Sequence, residues 1–176
     1  MSTSRTHTTP TQTITVQVNG TPVTRSVMPR QHLIDFLRDG CGLKGSHVGC
    51  EHGVCGACTV QLSGQIVRGC LVLAVQANGR AVETVETAAP SPQLRALQDA
   101  FLARNALQCG YCTPGMLMAA QELLAQCPDA DREAVREWMS GNYCRCTGYH
   151  AIVDAVCDVL QLQREGKLAA ATKEQA

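Results

Sequence analysis

Residues 50–60 read CEHGVCGACTV, which places Cys50, Cys55 and Cys58 within nine residues and separates them with Gly53 and Gly56. Eleven cysteines stand in this chain of 176 residues, an odd number gathered mostly in short loops. An even number at spread-out spacings in an exported chain would read as a disulfide framework. Here the opening residues, MSTSRTHTTPTQ, lack an apolar core, so no Sec-type leader is expected. Clustered thiols in a reducing cytoplasm are better suited to metal, because the thiolate is the species that metals bind.

Two quartets account for eight of the eleven. Cys50, Cys55, Cys58 and Cys70 follow C-x4-C-x2-C-x11-C, the plant-type ferredoxin spacing for a [2Fe–2S] centre. A loop wrapped around such a centre must turn sharply, and glycines permit positive φ while leaving backbone N–H groups free to point at sulfur. Structural zinc is the competing reading, although zinc sites more often pair short C-x2-C knuckles. The second quartet, Cys109, Cys112, Cys144 and Cys146, follows C-x2-C…C-x-C, which by spacing alone suits zinc or iron–sulfur. QCGYCTPG and YCRCTGY echo one another, each running from a cysteine pair to threonine and then a helical pattern. Thr113 is the expected N-cap and Pro114 the first helical residue, which would set both cysteine pairs at helix N-termini, where the dipole favours an anionic ligand set.

The elements that must position these thiols change character along the chain. TITVQV alternates from Thr13 as a half-buried strand does, Asn19-Gly20 marks a hairpin, and TPVTRSV returns. Leu33, Ile34 and Leu37 share a helical face over residues 31–38, ended by Gly40. CTVQLSGQIVRG forms a second hairpin at Ser63-Gly64, and RAVETV a last short strand. TAAPSPQ, with two prolines, is the expected boundary, and beyond it four helical patterns follow: LRALQDAFLARNAL, PGMLMAAQELLAQ, REAVREWM and HAIVDAVCDVLQLQREG. The expected organisation is an extended or disordered segment 1–12, a sheet-and-helix domain 13–88, a four-helix domain 89–163 and a charged tail 164–176. Domains of ~70–80 residues seldom stabilise themselves on apolar burial alone, so each needs a staple.

Zero net charge, from 15 basic and 15 acidic residues, offers no basic face for nucleic acid. The longest apolar run, about Cys70 to Val75, is far below the ~18 residues of a membrane span. A soluble, cytoplasmic chain is expected.

GCEHGVCGACTV, the later Cys70, LQCGYCTPGM and GNYCRCTGYHAIVDAV together resemble the iron–sulfur subunit of the molybdenum hydroxylases, the xanthine dehydrogenase and aldehyde oxidoreductase family. The resemblance covers roughly residues 13–163. It implies an α+β chain: an N-terminal β-grasp plant-type [2Fe–2S] ferredoxin domain followed by a C-terminal four-helix [2Fe–2S]-binding domain. It makes the second quartet iron–sulfur, with all eight cysteines as ligands. It further implies that Gln108, whose amide both donates and accepts, and Cys146 approach the pterin of a molybdenum cofactor held in a large partner subunit, while a medium subunit carries FAD. A dimer of such heterotrimers is a further candidate assembly.

Outside the quartets, Cys157 falls on an apolar stripe with Ile152, Val153, Val156 and Leu160 and reads as core, Cys127 precedes Pro128 at a helix end, and Cys41 follows Gly40 in a turn. His47 and His52 flank Cys50 and read as solvent or subunit contacts, since four cysteines already complete the site. Met116 and Met118 fit a packed helix. No nucleophile–base pair and no nucleotide loop is visible, so the chain is expected to carry electrons and no substrate site. The competing readings are a stand-alone two-cluster ferredoxin serving several reductases and a zinc-stabilised interaction module. N-heterocycles, purines, aldehydes, carbon monoxide and aromatic acyl thioesters all remain open as substrates of the complex, as do its final electron acceptor and the form of its pterin.

Overall fold

The computed structural model describes residues 10–87 and 89–168. Of the expected terminal segments, residues 1–9 and 169–176 lie outside the described residues. β1 (Gln12–Val18) alternates as its sequence requires, burying Ile14, Val16 and Val18. It pairs antiparallel with β2 (Thr21–Val27) around Asn19 and Gly20, both at positive φ, the backbone of a tight twisted hairpin. β2 buries only Val27, as suits an edge strand with Pro22 in it. A second hairpin, β3 (Thr59–Leu62) and β4 (Gln65–Arg68), turns on Ser63 and Gly64, again both at positive φ. β5 (Ala81–Glu83) runs parallel to β1 and antiparallel to β3, giving a five-stranded mixed sheet in the order β2-β1-β5-β3-β4.

The short helix α1 (Leu33–Asp35) continues as a wider π-helical turn, Phe36–Gly40. Leu33, Phe36 and Leu37 pack with the strands and with Ala74 and Ala77 of a 3-10 turn, Ala74–Ala77, that the sequence pattern does not announce. Ile34 turns instead toward Cys58 and Cys70. This arrangement is the β-grasp.

The helical part contains α2 (Pro92–Ala103), α3 (Thr113–Gln126), α4 (Arg132–Met139) and α5 (His150–Arg164), one for each expected pattern. Ser91 and Asp131 cap α2 and α4 by accepting N–H bonds from Leu94 and Ala134. Leu94, Leu97, Phe101, Leu123, Val156 and Leu160 lie in one apolar core. α3 is buried on almost every side, because it packs on α2 and α4 and also touches β3 and β4. Among the described residues no helix is long and apolar enough to cross a membrane.

Candidate metal centres

The first quartet sits on the loop between α1 and β3 and just after β4. Cys58 and Cys70 are 2% exposed and pack with Ile34 and Val48, whereas Cys50 and Cys55 are half-buried. Glu51, Gly53 and Gly56 all hold positive φ, so the loop reverses direction repeatedly. Glycine is required for space as well as conformation. A Cβ on Gly53 would lie 2.5 Å from Leu71 Cδ1, and one on Gly56 would lie 2.5 Å from Asn142 Cγ. The Cys55 N–H reaches Cys50 Sγ at 3.4 Å. That bond, with the N–H groups of His52 and Val54, holds the Cys50 thiol down at about 6. Backbone amides therefore stabilise negative charge on sulfur here, as the glycine content of the loop foretells. Burial, with Cys70 as its neighbour, pushes Cys58 up to about 11.

The second quartet is assembled from two loops. Cys109 and Cys112 lie between α2 and α3, and Cys144 and Cys146 between α4 and α5. Cys146 Sγ is 3.6 Å from Cys109 Sγ, and both residues are exposed. Cys112 neighbours Cys144, and burial followed by that neighbour pushes Cys112 up to about 12. Burial raises Cys144 too, but donation from the Thr147 hydroxyl at 3.2 Å and the N–H groups of Cys146 and Thr147 outweighs it, so its thiol is lowered. Tetrahedral metal–sulfur bonds of ~2.3 Å hold two sulfurs of one metal ~3.8 Å apart. Cys109 Sγ and Cys146 Sγ stand close to that separation, and Cys112 with Cys144, like Cys58 with Cys70, are side-chain neighbours. A mononuclear zinc needs all four thiolates around one point, while a two-metal centre takes one pair on each metal.

The two quartets share a cleft of ≈ 240 Å³ lined by Cys50 and Cys55 from the first and all four cysteines of the second. Across it, the Tyr143 N–H donates to the Cys55 carbonyl at 2.8 Å, linking the residue before Cys144 to a cysteine of the other set. His47 and Tyr111 stack with ring centroids 4.5 Å apart, and the Tyr111 hydroxyl donates to Val48 O at 2.6 Å.

Comparison with known proteins agrees with this geometry. Residues 16–82 match the family model described as 2Fe-2S iron-sulfur cluster binding domain, and residues 83–157 the one described as [2Fe-2S] binding domain. The beta subunit of the 6-hydroxypseudooxynicotine dehydrogenase complex of Paenarthrobacter nicotinovorans is 53% identical over 146 residues, 82% of this chain and 91% of the relative. Caffeine dehydrogenase subunit gamma of Pseudomonas sp. (strain CBB1) is 50% identical over 149 residues, 83% of this chain and 89% of that one. A chain of the crystal structure of quinoline 2-oxidoreductase from Pseudomonas putida 86 superposes with a TM-score of 0.82 at 50% identity, covering 89% of this chain and 98% of that chain. The chain belongs to the iron–sulfur subunits of the molybdenum hydroxylase family.

As in any member of this family, two [2Fe–2S] centres are the cofactors, and the residues present fit them. Besides the paired thiols, donors to the sulfurs are in place: the Cys55 N–H reaches Cys50 Sγ at 3.4 Å and the Thr147 hydroxyl reaches Cys144 Sγ at 3.2 Å. Several local expectations need correction. Thr113 does not cap α3: Cys112 is the N-cap, since its carbonyl accepts the first helical bond, from Met116 N–H at 3.0 Å. Cys144 and Cys146 precede α5 by several residues and are not at its N-terminus, where Tyr149 stands in a left-handed conformation. Gln108 lies exposed in the loop between α2 and α3. Cys157 is half-buried at the edge of the helical core, next to Arg132, and not within it. His47 faces Tyr111 of the same chain, with its Nδ1 2.8 Å from the Tyr111 carbonyl oxygen. Met116 and Met118, by contrast, are core, as expected. Sequence reading passed over Asn142, Tyr143 and Tyr149; their nearness to Cys144 was the signal available.

Proposed function

We propose that this chain is the electron-carrying subunit of a heterotrimeric molybdenum hydroxylase, working with a large molybdopterin-binding subunit and a medium FAD-binding subunit. Cys50, Cys55, Cys58 and Cys70 hold one [2Fe–2S] centre, and Cys109, Cys112, Cys144 and Cys146 the other. Each centre, when bound, accepts and releases one electron at a time, and the protein supplies distance, burial and hydrogen bonds. The single observation that carries this reading is the shared cleft, which brings both sets of thiols together with the Tyr143-to-Cys55 hydrogen bond across it.

Gln108, Cys109 and Cys146 are exposed together, which supports placing Gln108 and Cys146 against the pterin of the large subunit and the first quartet toward the flavin. The domain boundary falls at residues 88–89, in the proline-containing segment before α2. The complex is cytoplasmic, and pairing of two heterotrimers is its proposed higher assembly. The named relatives act on a nicotine derivative, caffeine and quinoline, all nitrogen heterocycles, and that class is proposed for the substrate.

Iron and acid-labile sulfide analysis of the purified complex tests the assignment. Two centres of two irons each give four irons per chain, with two distinct paramagnetic signals on reduction. Zinc, or about half that iron, overturns it. Recovery of the chain with no larger subunits would favour the stand-alone ferredoxin.

A further inference from the structure

Asn142 stands two residues before Cys144, yet its side chain is spent on the other half of the molecule. It is 2% exposed. Its Nδ2 donates to the Gly56 carbonyl at 3.1 Å and lies 3.5 Å from Thr59 Oγ1. Gly56 is the residue after Cys55 and holds positive φ in the first cysteine loop. The fit around it leaves no slack. A Cβ on Gly115, in the first turn of α3, would come within 2.2 Å of the Gly56 oxygen and 3.0 Å of Asn142 Nδ2, and the former is closer than side-chain carbons approach.

Asn142 is also held from behind. The Tyr149 hydroxyl donates to the Asn142 carbonyl at 2.9 Å and accepts the Cys144 N–H at 2.9 Å. A closed circuit results: from Cys144 through Tyr149 and Asn142 to Gly56, back one residue to Cys55, and across to Tyr143, the neighbour of Cys144. Attachment of the two halves does not depend on it, because Glu122 accepts from the Ile66 N–H at 2.9 Å and Arg68 donates to Gly141 O at 2.7 Å. What the Asn142 amide adds is a direct grip on the two cysteine loops themselves.

We infer that Asn142 is a positioning residue for electron transfer: its buried amide, clamped on the Gly56 carbonyl beside Cys55, fixes the separation of the two metal centres. The inference rests on the ligand assignment proposed above. Electron transfer between two centres slows as their separation grows, so a contact that fixes the separation also sets the rate. A well-packed lock at the junction keeps that separation from drifting.

The test is paramagnetic resonance of the fully reduced, assembled complex. Each reduced centre carries an unpaired spin, and the dipolar splitting between two spins falls with the cube of their distance. Asn142→Ala is expected to retain four irons and both signals while showing a smaller splitting and slower transfer between the centres. Gly115→Ala keeps the Asn142 side chain but drives a methyl group against the Gly56 oxygen and up to Asn142 Nδ2, prising the contact apart, and is expected to reduce the splitting as well. Unchanged splitting in a variant that holds all its iron overturns the inference. Failure of both variants to take up metal also overturns it, by assigning the contact to assembly. An iron deficit in the parent complex would instead overturn the ligand assignment.

Discussion

A thiolate that holds iron is tuned by what donates to the sulfur atoms around it, and the two quartets differ in this respect. The first relies chiefly on backbone amides: the Cys55 and His52 N–H groups, with smaller help from the Cys55 side chain and Val54 N–H, hold the Cys50 thiol low. The second adds a hydroxyl: Thr147 Oγ1 donates to Cys144 Sγ at 3.2 Å, beside the N–H groups of Cys146 and Thr147. A hydroxyl that donates to a ligand sulfur stabilises the reduced, more negative centre. Removing it by Thr147→Val, which keeps the shape, is expected to lower the potential of the C-terminal centre by tens of millivolts, corresponding to ~1 kcal/mol. Redox titration monitored by paramagnetic resonance reads this directly. The N-terminal centre should stay where it is, and an unmoved C-terminal potential would show that the hydroxyl has no electrostatic part.

At the scale of elements, α3 joins the two halves. One side packs in the helical core through Met116, Leu117 and Leu124, while Gly115 meets Gly56 and Glu122 reaches the sheet edge. Glu122 is 9% exposed and its carboxylate accepts the Ile66 N–H of β4, so an edge strand is closed by a side chain of a helix. Glu122→Ala leaves that N–H without its partner and is expected to cost ~1–3 kcal/mol. Thermal unfolding of the loaded chain, followed by circular dichroism and by cluster absorbance together, should show both signals lost at a lower temperature. The elements themselves were legible: the strands from period-two alternation, both hairpins from Asn19-Gly20 and Ser63-Gly64, and the helices from their apolar stripes. Met116 and Met118 read as part of a packed helix, and both are buried in α3. The junction was not legible, because Asn142 and Gly56 are 86 residues apart, and Glu122 and Ile66 are 56 apart, with no local period to mark them. The cap position failed for a subtler reason: an N-cap is the residue whose carbonyl accepts the first helical bond, and only the fold shows that Met116 N–H donates to Cys112 rather than one residue later to Thr113.

At the scale of the molecule, the arrangement has a direction. Gln108, Cys109 and Cys146 are exposed around the second quartet, whereas the first is flanked by Val54 and Leu71, 45% and 61% exposed, the kind of apolar surface a partner subunit covers. If the pterin meets Gln108 and Cys146, substrate electrons reach the C-terminal centre first, and the route onward runs past the Tyr143-to-Cys55 hydrogen bond to the N-terminal centre and the flavin. The two ends can be cut separately. Cys55→Ser, a poor replacement because a hydroxyl stays protonated where a thiolate does not, should block reduction of FAD by substrate while leaving the C-terminal centre reducible. Cys112→Ser should keep substrate electrons from both the N-terminal centre and FAD. The two serine variants differ in which signal survives, so loss of overall activity, common to both, is not the readout. Rapid mixing of each assembled variant with substrate, freezing, and paramagnetic resonance of the surviving centre gives it. Fast reduction of the N-terminal centre by substrate in a Cys112→Ser complex that has lost its own centre would reverse the order, because electrons would then have entered without passing the cysteines next to Gln108.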